Sequence, residues 1–244
     1  MKAKLFLIMA IMLTTSCTNA RTLVVYYSFT NNVHTIVSDL ATQIDADVVR
    51  IEPAEKGLDY AADNYAVGSA LISAIRNRPD DAASYPAIDP VEVNLADYDM
   101  VIVAAPLWWS QMAAPLQTFL FQHGKEMAGK HIGLIVSSAS SGISSVVADA
   151  KRLIPEGNFL EPNLWIRSSQ VSNRHSMIEQ WLKDINYTNI TSAITAVGRD
   201  GEEEALATYN IGGQRIKTDL SNTGISIKQY KKAGKTYSKK HLRR

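Results

Sequence analysis

Five short apolar runs alternate with segments of helical periodicity between residues 22 and 186. The runs are rich in β-branched and aromatic residues, and such continuous runs are typical of strands buried on both faces of a parallel sheet. We predict strands over Thr22–Ser28, Asp47–Ile51, Met100–Ala105, where Pro106 is expected to stop the strand, His131–Ser138 and part of Phe159–Ile166. Apolar positions at helical spacing predict helices over Val33–Ile44, Tyr60–Arg76, Ala113–Gln122, Gly142–Ile154 and Ser176–Ile185.

This alternation of strand and helix predicts an α/β fold with a doubly wound, five-stranded parallel sheet. After Asn186 the pattern changes to short alternating runs between Gly, Asp and Asn turns. Such runs favour a small antiparallel β extension. Its predicted strands are Asn189–Val197, Ala205–Ile211, Arg215–Leu220 and Gly224–Tyr230. We therefore expect three parts: a signal segment over residues 1–20, an α/β domain over 21–186, and a β extension with a basic tail over 187–244.

The first twenty residues are typical of an export signal. Lys2 and Lys4 precede nine apolar residues, Leu5–Leu13, a run too short to span a bilayer as a helix. Cys17 follows where a bacterial lipoprotein signal places its lipidated cysteine, although Thr14 stands where such signals usually have Leu. Ordinary cleavage after Ala20 is the alternative. Both interpretations predict export to the periplasm or cell envelope, with membrane attachment only through a lipid on Cys17.

Composition narrows the classes of function. Apolar residues make up 46% and charged residues 20%, which excludes a disordered chain, a collagen or a coiled coil. A single cysteine excludes a disulfide framework, a thiolate zinc site and a cysteine-ligated iron–sulfur cluster. Residues 228–244 carry eight basic residues and no acid, so the rest of the chain is acidic, which argues against a nucleic-acid partner. The basic tail is either a solvated end or an electrostatic docking strip.

Three loops at the carboxyl ends of strands are candidate binding sites, because ligands of open α/β sheets bind there. The first loop, Ser28 to Thr35, crowds hydroxyl and amide side chains at a helix N-terminus, which favours an anion; plain capping by Thr30 or Asn31 is the alternative. The second has adjacent tryptophans, Trp108 and Trp109. At least one of these is expected to face the loop surface, where it suits a flat ring, with packing against a helix as the alternative.

The third loop consists of small residues that allow close backbone approach to a ligand; they are Ser138, Ala139, Ser140, Ser141 and Gly142.

These loops resemble those of the flavodoxin family, in particular the bacterial group with a Pro-x-Trp-Trp loop. Its S-x-T-G-N-T phosphate loop corresponds to Ser28, Phe29, Thr30, Asn31, Asn32 and Val33, and its Trp loop to Pro106, Leu107, Trp108 and Trp109. Asn31 replaces a glycine but tolerates left-handed backbone, whereas Val33 lacks the family's last hydroxyl. Ala139-Ser140 stands for a Gly-Gly pair. The resemblance spans residues 22–186 and implies the strand order 2-1-3-4-5.

The resemblance implies non-covalent FMN, with its phosphate on the first loop and its ring against Trp108 or Trp109. FMN would carry the redox chemistry, so no catalytic residue and no metal is predicted, and the partner would be a redox protein or a small quinone-like acceptor. His34 would either pair with the phosphate or be a surface histidine. Residues 209–216 and 224–227 resemble a small C-terminal β module of exported Bacteroidetes proteins, which acts in sorting or attachment.

Two other functions stay open from the sequence. Asn31, Val33 and the missing Gly-Gly pair favour a flavin-free binding or structural protein of the cell envelope. A hydrolase on the same sheet is the weaker alternative, because the chain has no G-x-S-x-G motif.

Overall fold

The computed structural model of the chain describes residues 20–192, 204–210, 215–216, 224–232 and 235–243. The chain divides into a larger compact unit, Ala20–Ile194, and a smaller one that contains the C-terminal strands. The predicted signal segment, with Cys17 and the alternative cleavage site up to Asn19, lies outside the described residues. Among the described helices, none has the length and apolar character needed to cross a membrane.

A parallel sheet forms the centre of the larger unit. Its strands are β1 (Thr22–Tyr26), β2 (Asp47–Arg50), β3 (Met100–Trp108), the two-residue β4 (Gln111–Met112), β5 (His131–Ser138), β6 (Asn158–Phe159) and β7 (Leu164–Arg167). The order is β2-β1-β3-β5-β6, with β7 also paired to β5 and β4 antiparallel to β3. This confirms the predicted 2-1-3-4-5 order, since β5 is the fourth long strand and β6 and β7 share the fifth position.

Five helices cover the two faces of the sheet: α1 (Asn32–Gln43), α2 (Ala62–Asn77), α3 (Ala114–His123), α4 (Ser144–Leu153) and α5 (Arg174–Asp184). Alternate residues of β1 contribute to two separate hydrophobic clusters. Leu23 and Val25 belong to the cluster that includes residues of α2, α3 and α4, whereas Val24 and Tyr26 belong to the one that includes α1 and α5. The sheet is therefore doubly wound, as predicted.

Two predicted boundaries in this unit are wrong. Pro106 does not stop β3, which continues to Trp108, because the strand changes partner there. Pro106 still aligns with Ser137 of β5, and its carbonyl accepts the Ala113 N–H at 3.1 Å. Residues 187–192 are helical, so the strand predicted from Asn189 is wrong at its start. Local hydrogen bonds to the Asn186 carbonyl form this turn instead of a ladder with another strand.

The smaller unit contains a four-stranded antiparallel sheet, which agrees with the predicted β extension. Its strands are β8 (Glu204–Asn210), β9 (Arg215–Ile216), β10 (Gly224–Lys232) and β11 (Lys235–Arg243), in the order β11-β10-β8-β9. The sequence did not predict β11, because this lysine-rich stretch lacks the apolar alternation of a strand. Most of the basic tail is therefore a strand paired with β10 rather than a free end.

Candidate functional site

A cleft of about 390 Å³ opens at the carboxyl ends of β1, β3 and β5. This is the edge at which open α/β sheets bind ligands, and the volume lies within the range of roughly 300–1,000 Å³ typical of small-molecule sites. The cleft is lined by hydroxyl, amide, aromatic and small aliphatic side chains: Ser28, Phe29, Thr30, Asn32, Val33, Tyr60, Tyr65, Pro106, Leu107, Trp108, Trp109, Ser137, Ser138, Ala139 and Ser168.

All three predicted loops contribute to this cleft. Asn31, Ser140, Ser141 and Gly142 belong to the same loops but are exposed and do not line it. The structure adds residues that the sequence did not single out, which are Tyr60, Tyr65, Ser137 and Ser168. Among the described residues, no three His, Cys, Asp or Glu side chains are close enough to hold a metal ion.

The first loop leaves the N-terminus of α1 open toward the cleft. Asn31 adopts left-handed backbone, with φ of 63°, and its side chain does not cap the helix. The capping that does occur comes from Ser28, whose Oγ accepts the His34 N–H at 3.1 Å. In the described part of the chain, no protein acceptor receives the backbone N–H groups of residues 30–33. Together with the helix dipole, these groups form a cradle suited to an anion.

Arg50 adds a positive charge next to this cradle. Its Nη2 donates to the Ser28 carbonyl at 3.3 Å, and its Nε pairs with Glu52 at 2.6 Å. His34 does not line the cleft, because its Nδ1 is hydrogen-bonded to the Tyr26 hydroxyl at 2.7 Å and its ring is exposed. Of the two predicted roles of His34, the structure therefore favours the surface histidine.

The second loop is a tight hairpin between β3 and β4. Leu107 pairs with Met112 and Trp108 with Gln111, so Trp109 and Ser110 form a two-residue turn. Both turn residues have positive φ, 46° and 64°, the backbone pattern that usually requires Gly or Asn. Trp109 and Ser110 therefore have a strained backbone, and such a backbone persists only where the surrounding structure fixes it.

The two tryptophans have different environments. Trp108 is 9% exposed, whereas Trp109 is 42% exposed. The prediction that at least one of the pair faces the loop surface is therefore confirmed. Trp108 packs at ring distances of 5.6 Å from Tyr27, 5.9 Å from Phe29 and 5.0 Å from Tyr60.

Trp109 continues this aromatic wall toward solvent. Its ring lies 6.3 Å from that of Trp108 and 6.2 Å, edge to face, from that of Tyr65. Tyr65 is half exposed and closes a run of three residues with left-handed φ that starts at Asp63, so the regular turns of α2 begin after it. Burial raises the pKa of Tyr27 and also that of Tyr60, so both phenols are neutral at physiological pH.

The third loop is fixed by Ser138. Its Oγ donates to the Ser141 carbonyl at 2.8 Å and accepts the Trp165 Nε1–H at 2.9 Å. Ser168 joins this loop to the first one, because its Oγ donates to the Ser138 carbonyl at 3.4 Å and accepts from Asn32 Nδ2 at 3.3 Å. The hydroxyl and amide groups on both sides of the cleft are thereby held in one network.

Comparison with known proteins agrees with this geometry. The model of a flavodoxin family matches residues 21–185. The chain belongs to the flavodoxin family. All the residues that line the cleft, from Ser28 to Ser168, lie within this matched range.

Three solved structures share the flavodoxin fold with this chain. A candidate flavoprotein from Bacteroides eggerthii is 23% identical, with a TM-score of 0.56 over 69% of this chain and 99% of that chain. Another from Bacteroides uniformis is 25% identical, with a TM-score of 0.54 over 68% and 99%. A flavoprotein from Lactobacillus acidophilus, solved in complex with FMN, is 20% identical, with a TM-score of 0.50 over 64% and 99%.

Proposed function

We propose that this flavodoxin-family protein binds FMN without a covalent bond and moves electrons, either as a carrier or as a reductase of small quinone-like acceptors. One observation carries the proposal: an open helix N-terminus and a tryptophan wall border the same cleft. An anionic group and a flat aromatic ring are the two chemical features of FMN. The Lactobacillus flavoprotein, which has the same fold, is in complex with FMN.

The polar end of the cleft fits a phosphate. The N–H groups of residues 30–33 are available as donors, and Thr30 and Asn32 add a hydroxyl and an amide at the cleft surface. Val33, in the first turn of α1, contributes no hydroxyl and is buried. We therefore assign the phosphate mainly to backbone donors, which bind anions at helix N-termini without a lysine or arginine in contact.

The aromatic end of the cleft fits a flat ring. Trp108 forms its fixed base, while Trp109 and Tyr65 present ring surface that solvent reaches. Aromatic faces of this kind bind planar rings through large contact areas with specific geometry. The small side chains of Ser138 and Ala139 on the opposite loop leave room for backbone approach.

FMN, when bound, supplies the redox chemistry, and the protein supplies binding and orientation. The residues lining the cleft include no acid, histidine, lysine or arginine. The ionisable side chains at this surface are therefore the phenols of Tyr60 and Tyr65, which agrees with an electron-transfer role in which protons come from water. Tyr27 and Tyr60, the two phenols packed on Trp108, stay protonated because burial raises the pKa of each.

We also propose that the protein works outside the cytoplasm, attached to a membrane through a lipid on Cys17 when the lipoprotein signal is used. The support is the signal pattern of the first twenty residues. Mass spectrometry of the protein from its native membrane fraction tests this. A diacylated N-terminal cysteine is the expected result, and an unmodified N-terminus at Arg21 would instead establish ordinary cleavage.

Titration of the protein lacking residues 1–20 with FMN tests the flavin assignment. We expect the flavin fluorescence to be quenched and its visible spectrum to shift, because the ring moves against tryptophan. Reduction of the bound flavin followed by oxidation with a soluble benzoquinone then separates a quinone reductase from a carrier that reacts only with a protein. An absence of binding at high micromolar FMN would support the flavin-free alternative, which Asn31, Val33 and Ala139-Ser140 favour.

A further inference from the structure

A polar cluster lies next to the tryptophan hairpin and takes no direct part in the cleft. It consists of two buried residues, Gln117 on α3 and Asp149 on α4, and of Arg152 on α4, which solvent reaches. Asp149 is 7% exposed and Gln117 is 1% exposed. Burial of such groups costs free energy unless each is paired, so their partners indicate what the cluster stabilises.

Asp149 and Gln117 hold the same short strand. The Met112 N–H donates to Asp149 Oδ2 at 2.9 Å, and Gln117 Nε2 donates to the Met112 carbonyl at 2.7 Å. Both polar backbone groups of Met112 are therefore bound by buried side chains. Because β4 has only two residues, these two bonds fix half of the strand to α3 and α4.

Arg152 completes the cluster. Its Nη2 donates to Gln117 Oε1 at 2.9 Å and lies 3.6 Å from Asp149 Oδ1, and its Nη1 donates to the Tyr85 hydroxyl at 3.0 Å. Arg76 of α2 adds a further favourable charge at Asp149. Burial nevertheless raises the pKa of Asp149, outweighing the Met112 hydrogen bond and the charges of Arg152 and Arg76, which act in the opposite direction.

The hairpin needs such an external attachment. Trp109 and Ser110 both have positive φ in a turn that contains no glycine, and a strained turn keeps its geometry only when its surroundings fix it. Met112 is the partner of Leu107 across this hairpin, so its position determines the register of the turn. Asp149 and Gln117 hold Met112, which follows Trp109 by three residues, and they therefore influence the position of Trp109 through the backbone of the hairpin.

We propose that Asp149 is a positioning residue whose carboxylate holds β4 so that Trp109 faces the cleft, and that it thereby sets the affinity of the site for the ring of its ligand. This inference rests on the proposed flavin function. Protonation of Asp149 weakens its bond to the Met112 N–H, so ring affinity falls as the pH is lowered.

Parallel titrations with riboflavin and FMN test the proposal, because riboflavin has the ring without the phosphate. We expect Asp149→Ala to raise the dissociation constants of both ligands by the same factor, several-fold, because it acts through the contact of the ring with Trp109, which is worth about 1 kcal/mol. Thr30→Ala should weaken FMN alone. Asp39→Ala is the matched control, because Asp39 is a similarly shielded carboxylate on α1, against the other face of the sheet, and it should change neither ligand.

Asp149→Asn separates positioning from simple stabilisation. Its amide oxygen can still accept the Met112 N–H, so we expect riboflavin affinity within about twofold of wild type at neutral pH, a small loss for a neutral acceptor. Because burial raises the pKa of Asp149, wild-type affinity for riboflavin should begin to fall above the ordinary aspartate pKa of about 3.9, whereas that of the Asn variant should stay constant. Identical pH profiles of wild type and Asp149→Asn would overturn the proposal. This comparison remains decisive if Asp149→Ala fails to fold.

A folded Asp149→Ala protein with wild-type riboflavin affinity would overturn the proposal as well. If wild type binds neither FMN nor riboflavin, the proposed function fails.

The positioning role is then tested by near-ultraviolet circular dichroism of the protein without flavin. The part of the spectrum that Trp109→Phe removes is the signal of the hairpin. Loss of that signal in Asp149→Ala, with the signal kept in Asp149→Asn, supports positioning, and an unchanged signal in Asp149→Ala contradicts it.

Discussion

The indole of Trp109 lies against Gly68 of α2, where an added Cβ would come within 2.9 Å of two ring carbons. Gly68 has ordinary helical backbone, so its value is the space it leaves rather than its flexibility. The exposed tryptophan of the cleft is therefore positioned from two sides, by the turn that carries it and by a helix surface without a side chain.

We expect Gly68→Ala to move Trp109 and weaken ligand binding. Alanine favours a helix over glycine by about 1 kcal/mol, but overpacking typically costs about 1–3 kcal/mol, so the free energy of unfolding should fall or stay level rather than rise. Ser73→Ala, at an exposed position of the same helix, is the control for helix propensity. A Gly68→Ala protein that is more stable and binds FMN normally would contradict the contact.

The two adjacent tryptophans should respond differently to truncation. Trp108→Ala removes the centre of a buried aromatic cluster, so we expect a loss of about 3–5 kcal/mol in the free energy of unfolding. Trp109→Ala should cost clearly less stability because its ring is 42% exposed. It should nevertheless weaken FMN binding by several-fold, consistent with about 1 kcal/mol for an aromatic contact. Urea unfolding and FMN titration of both variants measure this split, and equal losses of stability would contradict it.

Asn31 should tolerate glycine but not alanine. Its φ of 63° lies in the left-handed region, which costs an ordinary residue about 1–2 kcal/mol. We expect Asn31→Ala to lower the free energy of unfolding by about 1 kcal/mol and Asn31→Gly to change it little. Because Asn31 does not line the cleft, the glycine variant should keep wild-type FMN affinity. Equal stability of the two variants in urea would indicate that the loop does not adopt this backbone.

Asp39 should make part of the stability depend on pH. Burial alone would raise its pKa, but hydrogen bonds from Gln43 and His175 and the charges of His175 and Arg174 together lower it. A carboxyl whose pKa is lower in the folded state stabilises the protein above its unfolded pKa, and this contribution is lost as the pH falls through the folded pKa. We therefore expect Asp39→Asn to be destabilising at neutral pH.

The effect of Asp39→Asn should decline in acid. Its difference from wild type in the free energy of unfolding should shrink below the ordinary aspartate pKa of about 3.9, where the wild-type carboxyl also becomes neutral. Thermal unfolding at a series of pH values measures this difference in stability. Asp45→Asn is the control, because Asp45 is an exposed carboxylate just after the end of α1. A constant difference across the series would contradict the assigned charge interactions.

The sequence predicted those features that depend on residues close together in the chain. Buried strands are recognisable as apolar runs, and Trp108 and Trp109 follow such a strand directly, so the parallel sheet and the main cleft loops were foreseeable, whereas the strand order came from the resemblance to flavodoxins. Asn31 stands where flavodoxins have a glycine, and its tolerance of left-handed backbone was foreseeable from its residue type. The continuation of β3 through Pro106 could not be predicted, because it depends on the partner strand β4.

Residues brought in by tertiary structure gave no comparable signal. Ser168 meets Asn32 only because β7 ends beside the first loop, and Asp149 meets Met112 only because α4 packs on the hairpin. Tyr60 and Tyr65 precede the regular turns of α2, where aromatic residues are common without a ligand. The lysine-rich β11 is a strand because β10 offers it an edge, a property of the partner and not of its own pattern.

A comparison of FMN and riboflavin binding by calorimetry tests the central claim most directly, because the claim joins an anion cradle and an aromatic wall in one cleft. We predict that the wild-type protein binds both, FMN more tightly, and that Thr30→Ala narrows this difference while Trp109→Ala weakens both ligands alike. Failure of the protein to bind either ligand, or equal affinity for the two, would contradict the account.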